Sequence, residues 1–431
     1  MHKAMITAAV AAVALTVACQ TSKPAPPAAQ KAPTPQAAKA APAKAAPKAA
    51  PKPSKGFNAS PLERKLTTSE LAVRNLNSAI KARQRAYEAA PESITISQTL
   101  VDMLLTRSQF MGTFKDLDQA LEVSQKLLKA HPKDTRALEL RAQTYQAVHR
   151  FADALADLKA ANAIDGKERH HAITNVWLAQ GDKLQQVLDI RQRAFDKGPT
   201  FQNTTALAAA LAAVGRYKDA DKHWVAALTD HYRDVSPFAV AYVAFQRGVM
   251  WAEQAGDADK GIALYTEAVR ILPGYVVANV HLAELESEAN KLPQAKERLA
   301  ALIDKTQDPE PGGLLSELLA KTDPERAKTL AERSKSIYED LFKRHPYAFL
   351  DHGSEFFMGP GEDPKRALKL AQTNLTIRHN SRALEIGLDA AEAASNKEAL
   401  CAIAAMAPKT HPTTGLKESL KKVEGQCKAN P

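Results

Sequence analysis

The chain has 431 residues, enough for several ordinary domains or one long repeat array. Hydrophobic residues make up 45% and charged residues 25%, as in a protein with a packed core, and aromatics are only 6%. The net charge of +10 does not point to nucleic acid: Lys3, Lys23, Lys31, Lys39, Lys44, Lys48, Lys52 and Lys55 all precede residue 58 with no acid among them, and without them 50 basic residues face 48 acidic ones. A nearly neutral body excludes a general electrostatic footprint for phosphate backbones, and no nucleic-acid partner is expected.

Met1-His2-Lys3 is a short basic start, and Ala4 to Ala18 are uncharged and mostly apolar. Such a run suits a signal-peptide core and is short for a membrane span, which needs about 20 residues. It ends in Leu15-Thr16-Val17-Ala18-Cys19-Gln20, a small residue directly before cysteine. This end resembles a bacterial lipobox, with Thr16 where that pattern has leucine. The resemblance implies a lipoprotein signal peptide over residues 1–18 and lipidation of Cys19. Gln20 in place of aspartate is similar to outer-membrane sorting in Gram-negative bacteria. The alternative is ordinary cleavage after Ala12-Val13-Ala14, with Cys19 unmodified.

Residues 20–57 contain nine prolines, seven lysines and no aliphatic residue larger than alanine. Such a stretch cannot bury enough apolar surface to offset its ordering entropy. Residues 19–57 are therefore expected to form a disordered Ala/Pro/Lys tether, spanning roughly 100 Å if fully extended.

Beyond residue 57 the apolar residues recur at the helical spacing of three and four, and no alternating β-branched run suggests a sheet. Ser60-Pro61-Leu62-Glu63 reads as a helix start, with a capping serine and a proline at the first helical position. The same cap-then-proline pattern recurs at Ser236-Pro237, Asp323-Pro324 and Asp363-Pro364. Breaks at Pro91, Pro132, Gly166, Pro199 and Pro273 mark units, several of them close to 34 residues long. One unit places Leu138, Ala142, Tyr145, Phe151, Ala154, Leu158 and Ala161. A second places Leu207, Ala208, Leu211, Gly215, Tyr217, Ala220, Trp224 and Ala227. A third, with one residue inserted at its turn, has Gly248, Trp251, Gly256, Tyr265, Ala268 and Pro273; a fourth has Leu282, Ala283, Ala295 and Leu299.

This alternation of small and bulky residues resembles the tetratricopeptide repeat (TPR). The resemblance runs most clearly over 135–305, less over 61–134, and least over 311–427. It implies an all-α fold, an α-solenoid of about nine TPR-like helix hairpins: a TPR array over 58–310 and divergent TPR-like helical repeats with a C-terminal cap over 311–431. One hairpin cannot bury its apolar face alone, so neighbours stack.

The family binds extended peptides on the concave face lined by the first helix of each pair. Mapped onto this chain, that face carries Arg136, Glu139, Gln143, Gln146, His171, Asn175, Gln202, Thr205, Tyr242, Phe245, Glu284 and Ser287. Amide and hydroxyl side chains suit a peptide backbone, and Tyr242 with Phe245 suits an apolar anchor. The alternative is that the polar members are merely solvated and that Tyr242 and Phe245 pack into the next hairpin. The lysine and paired asparagines of a two-carboxylate clamp are absent from the mapped positions.

No nucleophile with a base, phosphate cradle or metal motif stands out, so no catalytic residue, metal or cofactor is expected. His170 and His171 face different ways on one helix, and His281 with Glu284 lacks a visible third ligand. Met358 to Asp363 reads as a turn, with Asp363 as the next cap. In an oxidising compartment Cys401 and Cys427 form either a disulfide clasping the C-terminal cap or two separate thiols. The expectation is a protein-binding scaffold in the bacterial envelope, touching the membrane through its lipid anchor only, with other envelope proteins or extended peptides as partners. An accessory subunit of an export, cell-wall or polysaccharide assembly machine is the second reading, and an enzyme with a site in the C-terminal third is the third.

Overall fold

A computed structural model describes residues 57–427 except Glu63, Lys409 and Thr410. The expected signal peptide, Cys19 and the tether up to residue 56 lie outside the described residues. Within them, helices follow one another and no strand occurs.

After α1 (Ser69–Ala89) the helices pair into nine hairpins. The first four are α2 (Ile94–Met111) with α3 (Lys115–Ala130), α4 (Thr135–Ala147) with α5 (Phe151–Asp165), α6 (His170–Gln180) with α7 (Leu184–Lys197), and α8 (Phe201–Ala213) with α9 (Tyr217–Ala226). The next two are α10 (Pro237–Val249) with α11 (Ala258–Ile271) and α12 (Val276–Glu288) with α13 (Leu292–Ala300). The last three are α14 (Glu310–Leu319) with α15 (Pro324–Arg344), α16 (Leu350–Met358) with α17 (Pro364–Leu375), and α18 (Ser381–Ala393) with α19 (Lys397–Ala405). Helix α20 (Thr414–Cys427) caps the end. This is the expected all-α solenoid.

Local chemistry sets the ends of these helices. Asp323 and Asp363 cap α15 and α17 by accepting hydrogen bonds from the Arg326 and Arg366 amides, each followed by proline in the first turn. The expected start at Ser60-Pro61 is not a helix. Residues 57–62 and 64–68 instead lie as a strap over α10: Arg247 donates to the Asn58 carbonyl at 3.1 Å, and the Thr67 amide to Val235 at 2.8 Å. These long-range bonds compete with the local cap, and the first helix begins at Ser69 behind Thr68.

The second helix of each pair buries one stripe, as Leu117, Ala120, Val123 and Leu127 do on α3. The first helices form an inner layer buried on more than one side; on α10 only Gln246 escapes. The small residues of the repeat let them approach. A Cβ at Gly248 would sit 2.4 Å from the Tyr265 ring, so glycine there makes room for that aromatic. The residue inserted in the third unit is absorbed not in its turn but in the helix, as a π-helical turn over Met250–Gln254 that continues α10.

The array also coils back on itself. Hairpins six to nine cover the turn edges of hairpins one to three. The Gln307 amide donates to Gly112 at 3.0 Å, and the His379 amide to Gln180 at 2.7 Å. Phe114 packs on Phe349 with centroids 4.7 Å apart, and Arg344 pairs with Asp118 at 2.7 Å. Gly112 and Gly181, both at positive φ, are the points of closest approach; a Cβ at Gly181 would lie 2.7 Å from the Asn380 backbone. The inner face is thus not an open groove along its whole length. Hydrogen bonds and aromatic contacts join the second turn of the coil to the first at Gly112, Phe114 and Gly181.

Candidate functional site: the inner cleft

The inner face stays open between hairpins three to five and the end of the chain. A cleft of about 690 Å³ lies there. Its apolar wall comes from Leu178, Val214, Trp224, Val249 and Met250, and its polar end from Glu253, Arg378, Arg382 and Glu385. The π-helical turn matters locally, because one extra residue re-aims the chain so that Met250, Glu253 and Gln254 all line the cleft. The indole N–H of Trp224 and the amide oxygen of Gln254, both buried, meet no partner among the described residues.

A small recess of about 30 Å³ adjoins the cleft, sharing Leu178, Ala209 and Trp224. The structure brings His171, Asn175, Gln202, Thr205 and Tyr242 together there. Asn175 accepts a hydrogen bond from Arg191 at 2.5 Å, and Tyr242 is buried edge-on against Trp224 at 6.4 Å. Burial and the Arg191 charge hold the His171 ring down at about 4, so it is neutral.

The other mapped residues lie elsewhere. Phe245, expected as an anchor for a guest, is fully enclosed by Tyr265, Tyr275 and His281, with ring centroids 5.1–5.6 Å away. Its position faces the neighbouring hairpin because α10 is covered on both sides. Arg136 is exposed and pairs with Asp134, while Glu139 accepts from Arg169 at 2.7 Å. Gln143 donates to Asp102 of α2 at 3.0 Å, and Gln146 is buried. Ser287 is half-buried near the end of α12. Cys401 and Cys427 are joined as a disulfide between α19 and α20.

Sequence reasoning missed the ionic cluster at the polar end of the cleft. His281 lies 2.7 Å from Glu253, which also accepts from the Tyr265 hydroxyl at 2.8 Å. Asp351 pairs with Arg378 at 3.2 Å, His352 with Glu310, and Arg382 with Glu355. Arg378 reaches across the coil to Nδ1 of His149 at 2.5 Å. Burial and the Arg378 charge hold that imidazole down at about 3, so it is the neutral acceptor. Burial would raise the Glu310 carboxyl, but the charge of His352 outweighs it and the net shift is downward. The signal was present: Asp351, His352 and Glu355 share α16, and Arg382, Glu385 and Asp389 recur at helical spacing on α18, amid apolar neighbours. Among the described residues no group of three or more His, Cys, Asp or Glu is placed to hold a metal ion.

Residues 252–318 match the sequence model of the tetratricopeptide repeat. The match runs from the π-helical turn through α11, α12 and α13 into α14. No curated protein sequence matches the chain. Similar solved structures include the APC/C hetero-tetramer Cut9-Hcn1, at 13% identity over 81% of this chain and 73% of that one, with a TM-score of 0.39. Yeast Tom70 matches at 14% identity over 83% and 93%, with a TM-score of 0.33. The human IFIT1 dimer with PPP-AAAA matches at 13% identity over 72% and 71%, with a TM-score of 0.43.

Proposed function

We propose that this chain is an exported, envelope-anchored scaffold that holds an extended segment of another protein in its inner cleft. Arrays of tetratricopeptide-type hairpins serve protein interaction in general. The observation that carries the reading here is the cleft itself. The coil leaves about 690 Å³ open beside the π-helical turn, against about 140 Å³ at the seam by Gly112, Phe349 and His352. Its wall combines apolar side chains with the amides of Gln185, Gln186 and Gln246, which can both donate and accept. A peptide backbone offers both complements at every residue. The anchor rests on the N-terminal sequence alone: a basic start, an apolar run, Ala18-Cys19 and a Pro/Lys-rich tether. No helix among the described residues is long and apolar enough to cross a membrane.

Site-specific photocrosslinking in intact cells tests the cleft. A crosslinker at Gln246, which lines the cleft, is expected to capture a discrete protein partner, and one at the exposed Lys328 on α15 is not. Equal yields from both positions would end the assignment. Metabolic labelling with palmitate tests the anchor: label lost with Cys19→Ala supports it, and an unlabelled natural chain removes it.

A further inference from the structure

Three acids line the seam cavity, where hairpins one and two meet hairpins six to eight, and only two of them are matched. Asp351 pairs with Arg378 at 3.2 Å, and Glu310 pairs with His352. Asp308, in the turn before α14, stands in the same wall. One of its oxygens accepts from the Glu310 amide at 3.0 Å, and no hydrogen bond or ion pair reaches the other among the described residues. Asp308 is half-buried rather than sealed, so a ligand in the cavity reaches it. Asp351, only 1% exposed, likewise keeps its Oδ1 without a hydrogen bond. His149 in this wall is neutral, so three carboxylates face two cations and the charge left over belongs to Asp308. Without a countercharge, burial and then Glu310 raise its carboxyl to about 7. Glu284 on α12, one of the mapped concave-face positions, is buried and lines neither this cavity nor the cleft.

The rest of the wall says which cation suits it. Leu105, Phe114, Leu117, Val277 and Phe349 are apolar, and aromatic faces attract an ammonium group. No trio of His, Cys, Asp or Glu converges to hold a metal ion among the described residues. An organic cation needs only one carboxylate and brings an apolar body for the remaining wall. Size limits that body: an apolar hole of about 150 Å³ takes one benzene ring, and this cavity is about 140 Å³. The cleft, at about 690 Å³, has room for a length of polypeptide, whereas the seam suits a single small molecule.

We propose that the seam cavity is a second binding site, for a small free amine whose ammonium head is seated at Asp308 and whose body, no larger than one ring, lies against Phe114 and Phe349. The cavity and the cleft share no wall residue, so this site stands whether or not the cleft holds a protein segment. Phe114 belongs to the first turn of the coil, Asp308 and Phe349 to the second. A ligand touching all three binds the closed coil better than an opened one and therefore stabilises closure.

Calorimetric titration of the full chain in detergent at pH 8 tests the site, with benzylamine and butylamine against benzyl alcohol and butanol as uncharged counterparts. Each amine is expected to bind at least about tenfold more tightly than its alcohol. It should also slow hydrogen exchange at the Gln307 amide, which bonds Gly112 across the seam. Asp308→Asn should bring amine and alcohol to equal affinity, while its melting temperature stays at or above that of the natural chain, which shows that the variant folds. If amines bind Asp308→Asn as well as the natural chain, they sit elsewhere and the inference falls. Equal affinity for amine and alcohol in the natural chain, or no binding of either, overturns it as well. If Nα-acetyl-lysine methylamide binds more tightly than both amines, the cation belongs to a protein side chain and the assignment to a free amine is overturned.

Discussion

The middle and the C-terminal third of this solenoid use the same hairpin and fill its inner face differently. Around α10 and α11 the inner positions are aromatic and small: Phe245, Tyr265, Tyr275, Ala241 and Gly248 interlock with almost no polar atom. From α14 to α18 the equivalent layer carries Asp351, Arg378 and Arg382, which are buried, and Glu310, His352 and Glu355, which are half-buried. Stacking of one hairpin on the next needs only shape. Closing a coil on itself brings distant segments together, and there charges and hydrogen bonds fix which segment meets which. Such ionic contacts add less stability than apolar packing, yet breaking one from a single side is severe.

The sharpest way to break the comparison removes one member from each region. Phe245→Ala deletes an enclosed ring and is expected to lose ~3–5 kcal/mol. Arg378→Met strands the Asp351 carboxylate and releases His149, and is expected to lose a similar ~3–5 kcal/mol. The signatures separate them. Hydrogen exchange should rise throughout the middle hairpins for Phe245→Ala. For Arg378→Met it should rise first where the coil closes, at the amides of Gly181 and His379. Uniform exchange in both variants would mean that the closure is not a separate cooperative unit.

The disulfide belongs to the C-terminal region alone. Cys401 and Cys427 are 26 residues apart, and the bond between them holds α20 beside the π-helical turn and Thr413 at the cleft mouth. Cys401→Ala with Cys427→Ala is expected to cost about 3 kcal/mol, on the loop-closure argument. Limited proteolysis should then cut after residue 405 while α10 and α11 stay intact.

Much of the middle was legible because its code is local. Small and bulky residues at helical spacing state directly which faces nest, and Leu138, Ala142, Tyr145, Ala154, Leu158 and Ala161 are all buried as that spacing requires. The cleft was only half legible. His171, Asn175, Gln202, Thr205 and Tyr242 converge, but Phe245 does not, because hairpin-level alignment cannot show that a second layer covers α10. The ionic cluster was not legible as a cluster. Arg378 and His149 lie 229 residues apart, and only the coiling of the whole array brings them together. Ser60-Pro61 failed for the same reason: contacts with Tyr232, Val235 and Arg247, all distant in sequence, outweigh a local cap.

A paired glycine substitution sharpens the contrast between closure and stacking. Gly181 and Gly215 both have positive φ, +74 and +78. A methyl group at Gly215 meets nothing within 4 Å, whereas at Gly181 it meets the Asn380 backbone at 2.7 Å. Gly215→Ala should therefore cost only the left-handed penalty of roughly 1–2 kcal/mol. Gly181→Ala should cost that amount plus about 1–2 kcal/mol for displacing backbone at the contact. Equal losses in urea denaturation would show that the coil has slack where its turns meet.

The last expected effect is diagnostic because the C-terminal ionic cluster holds buried groups that titrate near neutrality. Burial, then the acid beside it, raises Asp308 to about 7; burial alone would raise Glu355 further, but Arg382 and His352 hold it at about 7. Burial would lower the His352 imidazole, yet Glu310 and Asp351 carry it well above its ordinary value. All three have folded pKa values above their unfolded ones. Their contribution is complete below the unfolded values and is lost as pH rises through the folded ones. His149, held at about 3, works oppositely, but only below its unfolded value of 6.5. Between pH 6.5 and 8.5 the chain should thus lose on the order of 2 kcal/mol, read as a falling urea midpoint. Asp308→Asn keeps an oxygen for the Glu310 amide and should flatten part of that slope. Phe245→Leu, in the aromatic layer, should lower the whole curve and leave its slope alone. If Phe245→Leu changed the slope as much as Asp308→Asn does, the two regions would unfold as one and the distinction between stacking and closure would not hold.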